Sequence, residues 1–415
     1  MDISKFAIPA ELGIADHEIV RIAQDRICKN IPVTPFANEL LMTQDVQRQF
    51  QQSLLGIMTG MSLYNVGATR GEHLLSAYYH GLVVTRLPEL RQYRPLLTAA
   101  LTTHDVGHPP HPHSAEPSMK LVLGNGHESA FRAHYKSRPC AVVMERNGVL
   151  FEEVAQLIDR THPNPVLQAL VNGGKHPDLE SWEGTCRYAL TWTHAGARMP
   201  YDPVKIAYCY RLNEKEQLIL QEIEGFCNLE LEIERAQKCR EEVFETIHGP
   251  SIEGPEVLLA RAMQFAVEEG HLTEKFFFLT DEEATRHLRT KCGVIVKRLI
   301  ERTLNGNHHH LVYERRFRLP SEAQKAIMQD LPNRQSFADR VAEELSIPRA
   351  DICVQLCRFK GYKDYRTMVV LSASGEPIQI PHYEPYWLAH AYVAEEHKHK
   401  QEAVAAILDE LLLLR

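Results

Sequence analysis

Along the first three hundred residues, apolar positions recur at helical rather than strand spacing. After His73, the residues Leu74, Leu75, Tyr78, Tyr79, Leu82 and Val83 repeat every three to four positions, which predicts an amphipathic helix facing a core. The stretch from Pro95 to Thr103 is small and apolar throughout and predicts a buried helix, stopped by Gly107 and Pro109-Pro110 just beyond it. Segments 152–160, 165–172, 203–245 and 255–270 predict further helices. The run from Phe276 to Glu283 ends in an N-cap, Thr280 or Asp281, for a helix reaching Ile300.

After residue 305 the pattern changes. The segments His309–Leu319, Asp351–Phe359 and Arg366–Ile380 are rich in Val, Tyr, Phe and Ile, and Ser374-Gly375-Glu376-Pro377 predicts a turn. The last thirty residues read as helix again. The expected architecture is mainly α: an N-terminal segment over 1–45, a helical domain over 46–305 and a smaller C-terminal α/β lobe over 306–415.

Composition narrows the function classes. With 415 residues, 44% hydrophobic and 24% charged, the chain has room for two or three packed units. A net charge of −8 argues against a broad nucleic-acid surface, so stable nucleic-acid binding is not expected, while a local cationic pocket stays compatible. No apolar run of about 18 residues predicts a membrane span. The start, Met1-Asp2-Ile3-Ser4-Lys5, lacks the basic region and apolar core of a secretory signal. Nine scattered cysteines without Cys-x-x-Cys pairs suit reduced thiols, and a cytoplasmic location is expected.

The candidate chemistry centres on His104-Asp105, followed at once by Gly107-His108-Pro109-Pro110. A histidine beside an aspartate puts a nitrogen and an oxygen donor on one short piece of backbone. With His73 and one further carboxylate, this makes a four-ligand site for one divalent metal ion with positions left for water and substrate. His108, His111, His113 and His127 crowd the same stretch, and imidazoles there can bind phosphate or move protons near neutral pH. His308-His309-His310 reads as a surface turn, and His397 and His399 as a solvated helix face.

Arg70-Gly71-Glu72-His73, then His104-Asp105-Val106-Gly107-His108, then His113 and His127-Glu128, resemble the signature of HD-domain deoxynucleoside triphosphate triphosphohydrolases, in the branch with the sterile-alpha-motif HD enzyme and its bacterial relatives. Val46-Gln47-Arg48 with Leu55-Gly56, Val243 to His248, and Phe278-Leu279-Thr280-Asp281 are similar to other family segments, so the resemblance covers roughly residues 40 to 410. It implies an HD-type helical core and a fourth metal ligand from a run aligned with Asp178 to Tyr188. In that register Glu180 takes the ligand position; Asp178 is the alternative, and Asp202 a third candidate if the register shifts.

The resemblance also implies roles. His73, His104, Asp105 and Glu180 would hold the metal; Arg70, His108 and His113 would contact phosphate; His127 would activate a nucleophile or protonate a leaving group, with Glu128 fixing its orientation and His108 as a further catalytic residue. His111 has no counterpart and would face solvent or approach a second metal. Ser181, Gly184, Tyr188 and Leu54 depart from family contacts to triphosphate and sugar, which points to an altered substrate. The expected activity is hydrolysis of a nucleotide to nucleoside and tripolyphosphate. The alternatives are a phosphomonoesterase or phosphodiesterase on the same site, a non-catalytic nucleotide-binding regulator and, more remotely, a di-iron oxygenase. Manganese, iron, zinc or magnesium could be the ion, and a homo-oligomer is implied.

Overall fold

A computed structural model describes residues 12–57, 67–174, 176–192, 198–318, 320–329, 331–358, 367–380 and 386–413. The chain is mainly helical, with three small sheets among the described residues. The strand ends expected at Leu319, Phe359 and Arg366 lie outside the described residues.

The helix carrying His73 spans Arg70–Val84, and a reciprocal cap starts it: Thr69 Oγ1 accepts from the Glu72 amide at 3.2 Å while Glu72 Oε2 accepts from the Thr69 amide at 2.7 Å. Such a cap contributes about 1 kcal/mol and fixes which residue begins the first turn. The expected amphipathic character is corrected here. All fifteen residues except Glu72 are buried, because neighbours cover the helix on every side: Arg94–Thr103, Leu179–Trp192 and the hairpin strand Lys29–Val33. The Arg94–Thr103 helix is buried as predicted, and it delivers His104 at its C-cap.

One apolar core runs from Leu12 through Ile247 and includes Ile31, Leu40, Tyr78, Leu101, Phe131 and Trp182. The N-terminal segment is thus part of this core, through the antiparallel hairpin Arg21–Asp25/Lys29–Val33 and the helix Pro35–Leu41. A second core gathers around the helix Pro250–Glu268, and a third fills the C-terminal lobe.

Three expectations about elements need correction. The stretch 203–245 is not one helix: Pro203–Tyr208 is followed by a hairpin, Tyr210–Leu212 with Leu218–Gln221, and then by Leu229–Ile247. Asn213 makes the turn, its side-chain oxygen accepting from the amides of Lys215 and Gln217 at 2.9 Å, the local competition with helix expected of Asn. Second, the helix after Thr280 stops at Lys291, and a separate helix, Val294–Leu304, begins after Gly293. Third, the last thirty residues are not all helix. Trp387–Val393 is the fully buried central strand of an antiparallel sheet, between His310–Phe317 and Ile352–Arg358. An apolar strand buried on both faces has no alternation to read. Val369–Leu371 joins no strand of that sheet; it pairs in parallel with Leu218–Gln221 on the helical side.

Candidate metal centre

Three elements converge on His73. The Arg70–Val84 helix supplies Arg70 and His73, the end of Arg94–Thr103 supplies His104 and Asp105, and the Leu179–Trp192 helix supplies Glu180. His73, His104 and Asp105 each offer a ligand atom within 4.8 Å of the others, and all three are buried. Glu180 Oε2 lies 2.9 Å from His104 Nε2 and 3.9 Å from His73 Nε2. Its side chain keeps 29% of its surface, the most open of the four, so solvent reaches the group from its side.

Hydrogen bonding assigns the ring tautomers. His73 gives Nδ1 to Glu183, and His104 gives Nδ1 to the Leu101 carbonyl at 3.1 Å. Both rings therefore turn Nε2 lone pairs toward each other, 3.2 Å apart, with carboxylate oxygens of Glu180 and Asp105 beside them. With both rings neutral the set has no hydrogen to share, and two imidazoles with two carboxylates suit a divalent cation. The charge balance agrees. Burial alone would lower the His73 imidazole, yet Glu183, with Glu180 and Asp105, raises it to about 10, so without a metal ion His73 takes up a proton as the cation of the group. The concentrated negative charge calls for a cation at this point.

Behind the ligands lies a buried ion network. Glu183, fully buried, accepts from Arg187 Nε at 2.5 Å, and Arg187 Nη2 donates to Asp25 at 2.8 Å and Ser76 at 2.7 Å. Removing one partner of a buried pair costs about 3–5 kcal/mol. A carboxylate on the far nitrogen of a ligand histidine fixes its ring and raises its basicity. Sequence reasoning missed Glu183, although its spacing from Glu180 and Arg187 (i+3, then i+4) carried the signal.

Beside this group runs a line of imidazoles. Asp105 Oδ1 faces His108 Nε2 at 3.2 Å, His108 stacks on His127 with centroids 3.7 Å apart and planes 15° apart, and His127 Nδ1 meets Glu116 Oε1 at 3.2 Å. Burial, with the charges of Arg70 and His127, lowers His108 to about 3, so it is neutral. Burial would raise Glu116, but hydrogen bonding and charge from His127 hold it far below the carboxylate range. The line thus runs from Asp105 through neutral His108 and then His127 to ionised Glu116. Gly107 makes the close approach possible: a Cβ there would sit 2.2 Å from the His127 carbonyl oxygen.

No family model matches the chain, and no curated protein matches it in sequence. Among solved structures, it superimposes on a hypothetical protein from Aquifex aeolicus with a TM-score of 0.70, at 15% identity, over 92% of this chain and 99% of the other. The two share a fold.

Several expected site residues have other partners. Glu128 does not orient His127; it accepts from Arg160 Nη2 at 2.6 Å and Asn172 Nδ2 at 3.1 Å. Consecutive helical side chains point about 100° apart, so Glu116, on the helix Pro112–Leu123, occupies the place assigned to Glu128. Asp178 is a cap, taking the amides of Ser181 at 2.9 Å and Gly173 at 3.0 Å, and Asp202 caps the helix from Pro203. Arg70 Nη1 is 2.5 Å from Asp105 Oδ2, so the guanidinium orients a candidate ligand. His113 stands exposed. His111 is buried rather than solvent-facing, its ring nitrogen Nε2 on the Asp281 carbonyl and Thr285 Oγ1 at 3.1 and 2.9 Å. His309 is likewise buried, on the Ala350 carbonyl at 3.0 Å, so that triplet is not simply a surface turn. His397 sits in a 3-10 turn, 3.6 Å from Asp351, rather than on a solvated α-helix face.

Gly184 and Tyr188 follow Glu180 one and two turns along the same helix face. Gly184, one turn on, has its Cβ direction 3.4 Å from His73 Cε1 and 3.9 Å from the Tyr188 ring. Burial pushes the Tyr188 phenol up to about 12, so it stays protonated beside the metal group.

Proposed function

We propose that the chain is a metal-dependent phosphohydrolase of nucleotides, of the kind that releases tripolyphosphate from a deoxynucleoside triphosphate. The observation that carries the reading is the His73, His104, Asp105 and Glu180 cluster lying directly beside the stacked His108–His127 pair. A divalent ion held by these four residues would supply Lewis acidity at a phosphoryl oxygen and acidify water. Manganese, iron and zinc all suit the mixed donors, with magnesium a poorer match to two imidazoles.

The chain's own residues do the rest. Arg70 and Glu183 hold Asp105 and His73 in their ligand orientations. Neutral His108 supports the ring of His127 without adding a positive charge. His127, its Nδ1 on Glu116, has Nε2 left to hand a proton to a leaving oxygen, general acid catalysis that contributes about 10²–10⁴-fold.

A second reading, a phosphomonoesterase or phosphodiesterase, draws support from Gly184, whose missing side chain leaves room against His73. Product analysis separates the two. The manganese-loaded protein is incubated with deoxy- and ribonucleoside mono-, di-, tri- and cyclic phosphates, and products are resolved by anion chromatography. Tripolyphosphate is the expected product. Orthophosphate alone, or an opened cyclic ester, selects the second reading; no product with any metal overturns both.

A further inference from the structure

The segment Phe278-Leu279-Thr280-Asp281 takes no part in the proposed chemistry, yet Asp281 grips the loop that carries it. One carboxylate oxygen accepts from the His111 amide at 2.9 Å. The other accepts from the amide of Ser53 at 2.8 Å and its hydroxyl at 3.0 Å. The His111 ring returns to the same residue, on the Asp281 carbonyl at 3.1 Å, and shares Thr285 Oγ1 at 2.9 Å. Thr280 and Glu283 cap the helix start reciprocally, so the Asp281 side chain projects from a fixed first turn.

What is gripped is a hinge. His111 has φ 46° and ψ 62°, a left-handed conformation disfavoured for a residue with a Cβ, and it persists only where its surroundings determine it. It lies three residues after His108 and five before Glu116, at the corner where the loop turns into the helix Pro112–Leu123. His108 stacks on one side of His127 and Glu116 binds its Nδ1. The angle at His111 therefore sets how these two close on His127. The near side of the loop has its own anchor in Arg48, whose Nη2 donates to the carbonyls of Val106 at 2.5 Å and His108 at 3.0 Å.

We propose that Asp281 is a positioning residue for the His108–His127–Glu116 line, acting by holding His111 in its left-handed conformation. The proposal rests on the phosphohydrolase reading only for its kinetic consequence. A stability-only cap and a hinge clamp differ in one respect: glycine adopts positive φ freely, so it relieves the need for the clamp but not for a cap.

The test compares wild type, Asp281→Ala and Asp281→Ala/His111→Gly for kcat, KM, bound metal and Tm on whichever phosphate ester the product panel identifies. Asp281→Ala is expected to lower kcat on the order of a hundredfold, the scale of about 1 Å of misplacement, with KM and metal content near wild type. Adding His111→Gly is expected to recover most of the loss without recovering Tm. Should Asp281→Ala fail to fold, Asp281→Asn keeps the size and leaves one of the two amides without an acceptor. Wild-type kcat in the folded variant, or a loss that glycine does not relieve, overturns the proposal. If the wild-type protein hydrolyses no ester, the phosphohydrolase reading fails separately, and crystal structures decide the clamp. A His108–His127 spacing that widens from 3.7 Å in Asp281→Ala and closes again in the double variant supports it, and an unchanged spacing overturns it.

Discussion

His108 and His127 lie face to face, centroids 3.7 Å apart, although nineteen positions separate them in the chain. Two charged imidazoles would repel at that distance. The arrangement holds because His108 is neutral, and Glu116 fixes the His127 ring through Nδ1.

Replacing His127 by Ala, or Glu116 by Gln, is therefore expected to act on turnover and not on the metal group. A fall of about 10²–10⁴-fold in kcat is expected for His127→Ala, and a smaller fall for Glu116→Gln, with metal content unchanged by atomic absorption. A fully active His127→Ala protein removes that residue from the mechanism.

Gly107→Ala tests the same contact from the backbone. The new Cβ would meet the His127 carbonyl oxygen at 2.2 Å and the Phe131 amide nitrogen at 3.3 Å, and neither can rotate away. The helix His127–Tyr135 must shift, at a cost of about 1–3 kcal/mol in stability and at least tenfold in kcat. Thermal unfolding and kinetics on one preparation measure both, and an unperturbed variant contradicts the packing described.

Glu183→Gln is expected to weaken metal binding about 10–100-fold, since the amide cannot hold the His73 ring and balance Arg187 as the carboxylate does. Isothermal titration with manganese or zinc into metal-stripped protein reads this directly. Stripping wild-type protein with a chelator should lower its Tm, because an ion that binds only the folded chain stabilises it.

Glu256 gives a stability signature in pH. Fully enclosed, it takes the Ser114 hydroxyl at 2.5 Å on one oxygen and has no partner for the other; burial, with Asp281 and Glu253, raises it to about 8. Between the unfolded value of 4.5 and about 8, the folded chain keeps a proton that the unfolded chain has released. Its stabilising contribution is complete below that window and is lost as pH rises through it. Glu256→Gln should remove this slope and be more stable than wild type at pH 8, by about 1 kcal/mol or more. Denaturant melts at pH 5 and 8 measure it; equal slopes in the two proteins contradict the assignment.

The sequence by itself determined the elements that have a local cause and the donors they carry. Helical spacing after His73, the small apolar run Pro95–Thr103 and its breakers, and the Thr280 cap all act within a turn or two of chain. They placed His73, His104 and Asp105 on supports that the structure brings together. Glu180, expected only from the resemblance, lies beside them. Only the tertiary structure decided what depends on packing between distant segments. Trp387–Val393 became a central strand because it is covered on both faces, a condition absent from its own composition. Glu116 took the place assigned to Glu128 because the direction of a side chain across a helix–helix contact follows the crossing of the helices, not proximity in sequence. The same physics buried His111 and joined it to Asp281, 170 residues away, where no periodicity could reveal the partner.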